Sequence, residues 1–121
     1  MHELSIAIDL VAAASEKATE LGLRISVVHV RVGALSGVVA EALAFSFDVA
    51  AAGSEIEGAR LAIEEVPVTV RCPRCGGEPR PASPQALRCP DCGGPASEVV
   101  SGRELELVAL EGEDAPPAAP S

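Results

Sequence analysis

The chain alternates between stretches with helix-type and strand-type spacing of apolar residues. Apolar residues that recur every three or four positions predict a helix, whereas alternating or β-branched residues predict a strand. The predicted helices are Leu4 to Leu21 and Ala40 to Ala52. The predicted strands are Arg24 to Val32, about Ala59 to Arg71, and Glu104 to Leu110.

The same periodicity predicts which residues face the core. The apolar stripe of the first helix comprises Leu4, Ile8, Val11, Ala14, Ala18 and Leu21. That of the second helix includes Leu43, Phe47 and Ala50, with Phe45 and Val49 close to it. In the first strand one face carries Val28, Val30 and Val32, and the other carries Ile25, Val27, His29 and Arg31. On this half-polar face, His29 is predicted to be a surface or partner-facing residue.

The order of elements predicts an α+β fold in which two helices pack on a small, mainly antiparallel, three-stranded sheet. The second strand contains an irregularity at Glu64-Glu65, which indicates a β-bulge or an exit from the core edge. Pro67 makes a central position in the sheet less favourable. The chain is then predicted to leave the sheet for an insert before the last strand.

The insert, residues 72–97, is rich in proline and glycine and contains all four cysteines: Cys72, Cys75, Cys89 and Cys92. The two C-x-x-C-G-G turns are near-duplicates separated by 13 residues, which predicts a zinc-ribbon-like Cys₄ site. Four thiolates at about 2.3 Å form a closed tetrahedral zinc site with a structural role. A rubredoxin-like iron centre is the alternative, because the same turns hold both metals. Four arginines around the cysteines are expected to offset the negative charge of a zinc ion bound by four thiolates: Arg71, Arg74, Arg80 and Arg88.

Charge and composition narrow the range of functions. The formal net charge is −9 and aromatic residues make up 2 % of the chain, which disfavours nucleic-acid binding. The amino end has no basic segment and no run of about 18 apolar residues occurs, so we expect neither a signal peptide nor a membrane span. Cysteines in this context indicate a reducing compartment. No nucleophile paired with a base and no phosphate-binding loop is recognisable, so an enzyme is not expected.

Metal donors also occur at the amino terminus, Met1-His2-Glu3. The terminal amine, a deprotonated His2 backbone nitrogen and His2 Nδ1 can close adjacent chelate rings, and Glu3 can add an amide or a carboxylate oxygen. Such in-plane nitrogen ligation favours Ni(II) or Cu(II) over zinc. By spacing alone, an ordinary solvated terminus is the favoured interpretation of these residues.

Several motifs occur in one order along the chain: Met1-His2-Glu3-Leu4-Ser5, Gly33-Ala34-Leu35-Ser36-Gly37-Val38, the paired C-P-x-C-G turns and Ser101-Gly102-Arg103-Glu104-Leu105. Over about residues 1–111 this pattern resembles the hydrogenase maturation nickel chaperones of the HypA/HybF family. The resemblance implies transient Ni(II) binding by His2, supported by Glu3 with the Met1 amine as a further candidate, and structural Zn(II) binding by the four cysteines. It implies a nickel-binding domain of residues 1–71 plus 98–111 and a zinc-binding domain of 72–97; composition predicts a disordered tail of 112–121.

The resemblance also implies a cytoplasmic protein that delivers nickel to the large subunit of a [NiFe]-hydrogenase together with the maturation GTPase of that pathway. It leaves urease maturation proteins open as clients, and it leaves open whether the protein is a monomer or a homodimer. One departure concerns an acid that some family members place at the position of Val39; Glu41 is the nearest carboxylate here. A zinc-ribbon protein-interaction module without a nickel role is the alternative function.

Overall fold

The structure, a computed structural model, describes residues 3–81 and 87–114. These residues form two helices and five strands in the order α1 (Glu3–Leu21), β1 (Leu23–Gly33), α2 (Ala40–Ala51), β2 (Arg60–Val66), β3 (Thr69–Arg71), β4 (Glu98–Ser101) and β5 (Leu105–Asp114). No helix among the described residues is long and apolar enough to cross a membrane.

The larger sheet has three strands in the order β2-β1-β5. Strand β5 runs antiparallel to β1, since Gly33 N donates to Glu104 O while Ser26 Oγ donates to Glu111 O at the other end. Residues later in β1 contact residues later in β2: Arg31 forms a salt bridge with Glu64, and Ala34, which directly follows β1, donates its N–H to Val66 O. This is the parallel arrangement that a helical connection such as α2 permits. The predicted α+β fold class is confirmed.

The chain divides into two compact units. The first comprises Met1–Val30, Val39–Ile63 and Leu107–Ser121, and the second comprises Arg31–Val38 and Glu64–Glu106. The second unit contains the whole cysteine segment, 72–97, together with residues on either side of it. The domain boundaries implied by the sequence stay a prediction.

Alanine residues form most of the buried face of α1, which packs against α2 in the first unit. Ala7, Val11, Ala14 and Ala18 are buried, whereas Leu4, Ile8 and Leu21 of the predicted stripe are 47 %, 52 % and 58 % exposed. Ala7 and Ala14 have side chains of a single methyl group, so a neighbouring helix can approach the backbone closely. The predicted stripe is therefore wrong at three of its six positions.

Helix α2 contributes the largest buried side chains of the first unit. Leu43 and Phe47 are fully buried, whereas Phe45 is 72 % exposed. The two phenylalanines are two positions apart, so they project from the helix about 200° apart. The predicted stripe is confirmed at both of its large residues.

Pro67 divides the predicted strand from Ala59 to Arg71 into two strands of different sheets. Strand β2 ends at Val66, and β3 pairs antiparallel with β4, with Val70 opposite Val99 and Arg71 opposite Glu98. Proline has no amide hydrogen to donate and fixes its own φ angle, which explains a break at this position. The prediction of one continuous strand is wrong, and β4 was not predicted.

Strand β5 continues to Asp114, beyond the predicted end at Leu110. A Cβ atom on Gly112 would lie 2.6 Å from the carbonyl oxygen of Arg24. The absence of a side chain therefore lets this part of β5 approach β1 closely. Residues 112–114 of the predicted tail belong to this strand, and residues 115–121 lie outside the described residues.

Candidate metal sites

The four cysteine sulfurs lie within 4.8 Å of one another. The Sγ atoms of Cys72 and Cys92 are 3.6 Å apart, and those of Cys75 and Cys89 are 3.8 Å apart. A tetrahedron with metal–sulfur bonds of about 2.3 Å has edges of about 3.8 Å. The sulfur positions therefore fit a single tetrahedral metal ion, as the spacing of the cysteines predicts.

Each pair of cysteines lies in a turn with the same backbone hydrogen bonds. Gly76 N donates to Cys72 O and Gly93 N donates to Cys89 O, both at 2.8 Å. In return, Cys72 N donates to Gly77 O and Cys89 N to Gly94 O, at 3.2 and 3.0 Å. Gly76 and Gly93 have φ angles of 73° and 70°, a region that glycine enters without a steric penalty. The duplicated sequence thus folds into duplicated turns.

Amide groups in these turns favour the ionised form of one sulfur. The Cys75 amide donates to Cys72 Sγ at 3.4 Å and lowers the pKa of the Cys72 thiol to about 7. The pKa of Cys75 is raised to about 12, chiefly because its thiol proton is shared with the sulfur of Cys72. Cys72 and Cys75 therefore do not ionise together unless a cation neutralises them, which is what a bound divalent metal does.

The side chains of two of the four predicted arginines lie at the second turn. Arg88 Nη1 donates to Gly93 O at 3.2 Å. The side chain of Arg74 passes close to Gly94 on the side where the Cys92 sulfur lies. Arg71 is instead paired with Glu78 and Glu98, at 3.3 and 2.6 Å, beside β3 and β4. Arg80 is exposed.

Of the amino-terminal donors, Glu3 lies within the described residues, whereas Met1 and His2 lie outside them. Glu3 is the first residue of α1, and its side-chain Oε2 accepts a hydrogen bond from Val39 N at 3.2 Å. Val39 is the N-cap residue of α2. The structure thus brings the Glu3 carboxylate to the beginning of α2.

The beginning of α2 carries Val39 and one acidic residue, Glu41. Val39 itself is 59 % exposed and contributes only its backbone amide to Glu3. Glu41 lies in the first turn of α2 and is exposed. The second histidine, His29, is half-buried on β1 and its Nε2 contacts the Glu111 carboxylate on β5.

Two of the sequence motifs meet in the second unit, which the sequence analysis did not predict. Gly33 N donates to Glu104 O at 2.7 Å, and Leu35 N donates to Gly102 O at 2.6 Å. The Glu104 side chain accepts a hydrogen bond from Gly102 N at 2.8 Å. The glycine in each motif could have indicated this contact, because a close approach of two backbones often requires a residue without a Cβ atom. We call this set of contacts between residues 33–35 and 102–104 the glycine clamp.

Known proteins similar to the chain share one described role. Residues 1–112 match the model of the family described as "Hydrogenase/urease nickel incorporation, metallochaperone, hypA". Hydrogenase maturation factor HypA of Chloroflexus aurantiacus is 58 % identical over 112 residues, covering 92 % of this chain and 98 % of the relative. The corresponding factor of a Roseiflexus species is 52 % identical over 120 residues, covering 98 % of each chain.

Solved structures of similar proteins agree with these sequence matches. The solution structure of the Ni metallochaperone HypA from Helicobacter pylori has a TM-score of 0.63 at 25 % identity, with coverage of 93 % of this chain and 97 % of that one. A second structure, the solution structure of HypA protein, has a TM-score of 0.69 at 25 % identity, with coverage of 94 % and 98 %.

Proposed function

This chain belongs to the HypA family of metallochaperones for hydrogenase and urease nickel incorporation, and we propose that it binds Ni(II) at its own amino terminus and delivers the ion during [NiFe]-hydrogenase maturation. The observation that carries the proposal is the match to the family model, because it begins at residue 1 and therefore includes Met1-His2-Glu3. Metallochaperones carry a metal and catalyse no reaction, so the chain is not an enzyme.

The proposed nickel donors are the His2 side chain and the nitrogens next to it in the chain. The terminal amine and the His2 amide nitrogen form a five-membered chelate ring with the metal, and His2 Nδ1 closes a six-membered one. Ni(II) favours such an in-plane nitrogen set, whereas zinc and magnesium do not. Glu3 supports the site, and the fourth in-plane position is left for a water, a backbone atom or a partner residue. A chain end of this kind can bind the ion and then release it.

The proposed zinc ligands are Cys72, Cys75, Cys89 and Cys92. Their sulfur separations of 3.6 and 3.8 Å support tetrahedral Zn(II), and four thiolates leave no open position for a substrate. Zinc in such a site would stabilise the fold of residues 72–97, a segment that is too poor in large apolar residues for a core of its own. The iron alternative differs in colour and in redox activity.

The proposed partners follow from the family's role. They are the maturation GTPase of the hydrogenase pathway, the large subunit of a [NiFe]-hydrogenase and, where urease is present, the urease maturation proteins. The proposed compartment is the cytoplasm, where thiols remain reduced. A zinc-ribbon module without a nickel role is less well supported, because the family match covers both helices and the amino terminus as well as the cysteine turns.

Titration with Ni(II) tests the proposal, and the two histidines of the chain provide a matched pair of variants. We expect His2→Ala to abolish nickel binding, whereas His29→Ala, which removes an imidazole paired with Glu111, leaves nickel binding unchanged. Both variants are expected to retain zinc. Equal nickel affinity of His2→Ala and the wild type would contradict the proposed site, and loss of binding in His29→Ala would assign the site to β1.

A further inference from the structure

The start of α2 lacks a capping group of its own. Its N-cap residue is Val39, whose side chain has no acceptor, and no side-chain cap hydrogen bond is made from this position. Helices usually begin with a serine, threonine, aspartate or asparagine, because an oxygen there accepts a hydrogen bond from the unpaired amides. The amide of Val39 is one of these unpaired donors.

Glu3 supplies the acceptor from the other helix. Its Oε2 lies 3.2 Å from Val39 N, so a carboxylate at the first residue of α1 accepts a hydrogen bond at the first turn of α2. A carboxylate interacts favourably with the positive end of a helix dipole, here that of both helices. The contact joins the beginnings of α1 and α2 within the first unit.

The consequence concerns the residues that precede Glu3 in the chain. Glu3 is bonded covalently to His2, so a contact that holds Glu3 fixes the point from which the metal-binding chain end extends. Restricting a flexible ligand before it binds raises affinity, because less conformational entropy is lost on binding. Hydrogen bonds to charged acceptors are also stronger than those between neutral groups.

We propose that Glu3 is a positioning residue of the nickel site, and that its side chain acts through the hydrogen bond with Val39 N–H and not as a carboxylate ligand of the metal. The inference rests on the proposed nickel function and specifies how Glu3 takes part in it. It also gives Val39 a role, because its backbone N–H is the donor to Glu3.

Four variants separate positioning from ligation. Glu3→Gln retains a carbonyl acceptor at the same reach but removes the anionic ligand, and Glu3→Ala removes both. Val39→Pro removes the amide hydrogen and leaves Glu3 intact; the φ of −89° at this position is close to that of proline. Val39→Ala is its control, because it retains the amide and shortens a side chain that is 59 % exposed.

Each variant is titrated with nickel sulfate while the ligand-field absorption bands are recorded. We expect Glu3→Gln to bind within about threefold of the wild type with unchanged bands, since an amide oxygen accepts the same hydrogen bond. Glu3→Ala and Val39→Pro are expected to weaken binding by about tenfold each, the scale of one net hydrogen bond, with unchanged bands. Val39→Ala is expected to bind like the wild type. The double variant Glu3→Ala/Val39→Pro should be no weaker than either single variant.

Shifted bands or lost binding in Glu3→Gln, with normal binding in Val39→Pro, would overturn the proposal and make the carboxylate a ligand. Circular dichroism and zinc content verify that each variant is folded. If Val39→Pro does not fold, Glu3→Gln and Glu3→Ala still distinguish the two roles. A carboxylate ligand predicts that both variants lose nickel affinity equally, whereas a positioning role predicts that Glu3→Ala loses more than Glu3→Gln. Nickel binding by His2→Ala would refute the proposed function itself, an outcome separate from all of these.

Discussion

Replacement of Gly33 by alanine tests the glycine clamp, the contact that joins two of the motifs on which the family resemblance rests. A Cβ atom on Gly33 would lie 2.1 Å from Gly102 O and 2.6 Å from Arg103 N. Both atoms belong to the backbone, so they cannot rotate away as a side chain can. Gly33 does not have a positive φ angle, and the effect of the substitution is therefore purely steric.

The size of the effect follows from these distances. Ordinary Cβ contacts begin at 3.4 Å, so the two segments must separate by about 1 Å. A shift of this size breaks or weakens the hydrogen bonds from Gly33 N to Glu104 O and from Leu35 N to Gly102 O, at about 1 kcal/mol each. Overpacking destabilises the folded state by a further ~1–3 kcal/mol. Alanine has less conformational entropy than glycine in the unfolded chain, which offsets less than about 1 kcal/mol of the loss. We expect Gly33→Ala to lower the free energy of unfolding by about 3 kcal/mol, a large part of the total for a small domain.

Urea denaturation followed by circular dichroism measures this loss, with zinc present in all samples. Gly77→Ala is the matched control, because a Cβ at Gly77 meets nothing within 4 Å and its φ angle is not positive. We expect the control to lie within about 0.5 kcal/mol of the wild type. If Gly33→Ala unfolds at the same urea concentration as Gly77→Ala, the close backbone contact does not exist and the description of the clamp is wrong.

The remaining predictions concern the core, the cysteine site and acid stability. Phe47→Ala, in the core of the first unit, should cost about 3–5 kcal/mol in urea denaturation, whereas Phe45→Ala should cost less than about 0.5 kcal/mol; equal losses would contradict the assigned faces of α2. Cys75→Ser should lose zinc in elemental analysis, and stoichiometric retention of zinc would overturn the four-cysteine assignment. The amides of Glu104 itself and of Gly102 lower the pKa of the Glu104 carboxyl. Its stabilising contribution is therefore present above the pKa of glutamate in the unfolded chain and is lost as the pH falls through the lower pKa of the folded protein. The difference in unfolding midpoint between wild type and Glu104→Gln should therefore shrink from pH 6 to pH 3, and a constant difference would refute this role.

Local sequence patterns predict the elements well and their partners poorly. The apolar periodicity places both helices within a residue of their observed limits, because a helix is stabilised by contacts three and four positions apart. The prediction of one strand from Ala59 to Arg71 is wrong because strand pairing, unlike helix formation, depends on residues that are distant in the chain. Alternation continues across Pro67, but the choice of partner strand depends on residues 98–101, about 30 positions away along the chain.

The buried face of α1 shows a second limit of the sequence. Leu4 and Ile8 are larger and more hydrophobic than Ala7, so a pattern weighted by hydrophobicity places them in the core. In the structure Ala7 is fully buried and the larger residues are half exposed. How close α2 approaches decides this, and the sequence of α1 alone does not contain that distance.

The two candidate metal sites differ in the same way. The cysteine site is predictable because each C-x-x-C turn is local and its glycines mark the required backbone geometry. The contact between Glu3 and Val39 joins residues 36 positions apart and involves a backbone amide, which no side-chain pattern reveals. The glycine clamp is hidden for the same reason, although each of its motifs is visible separately.

Metal analysis of the purified protein tests the nickel-delivery account most directly. Nickel and zinc are measured by elemental analysis in the wild type and in His2→Ala, before and after loading with one equivalent of Ni(II) and removal of unbound metal. The account predicts zinc in both proteins under both conditions, and nickel only in the loaded wild type. Nickel retained by loaded His2→Ala at the wild-type level would contradict it.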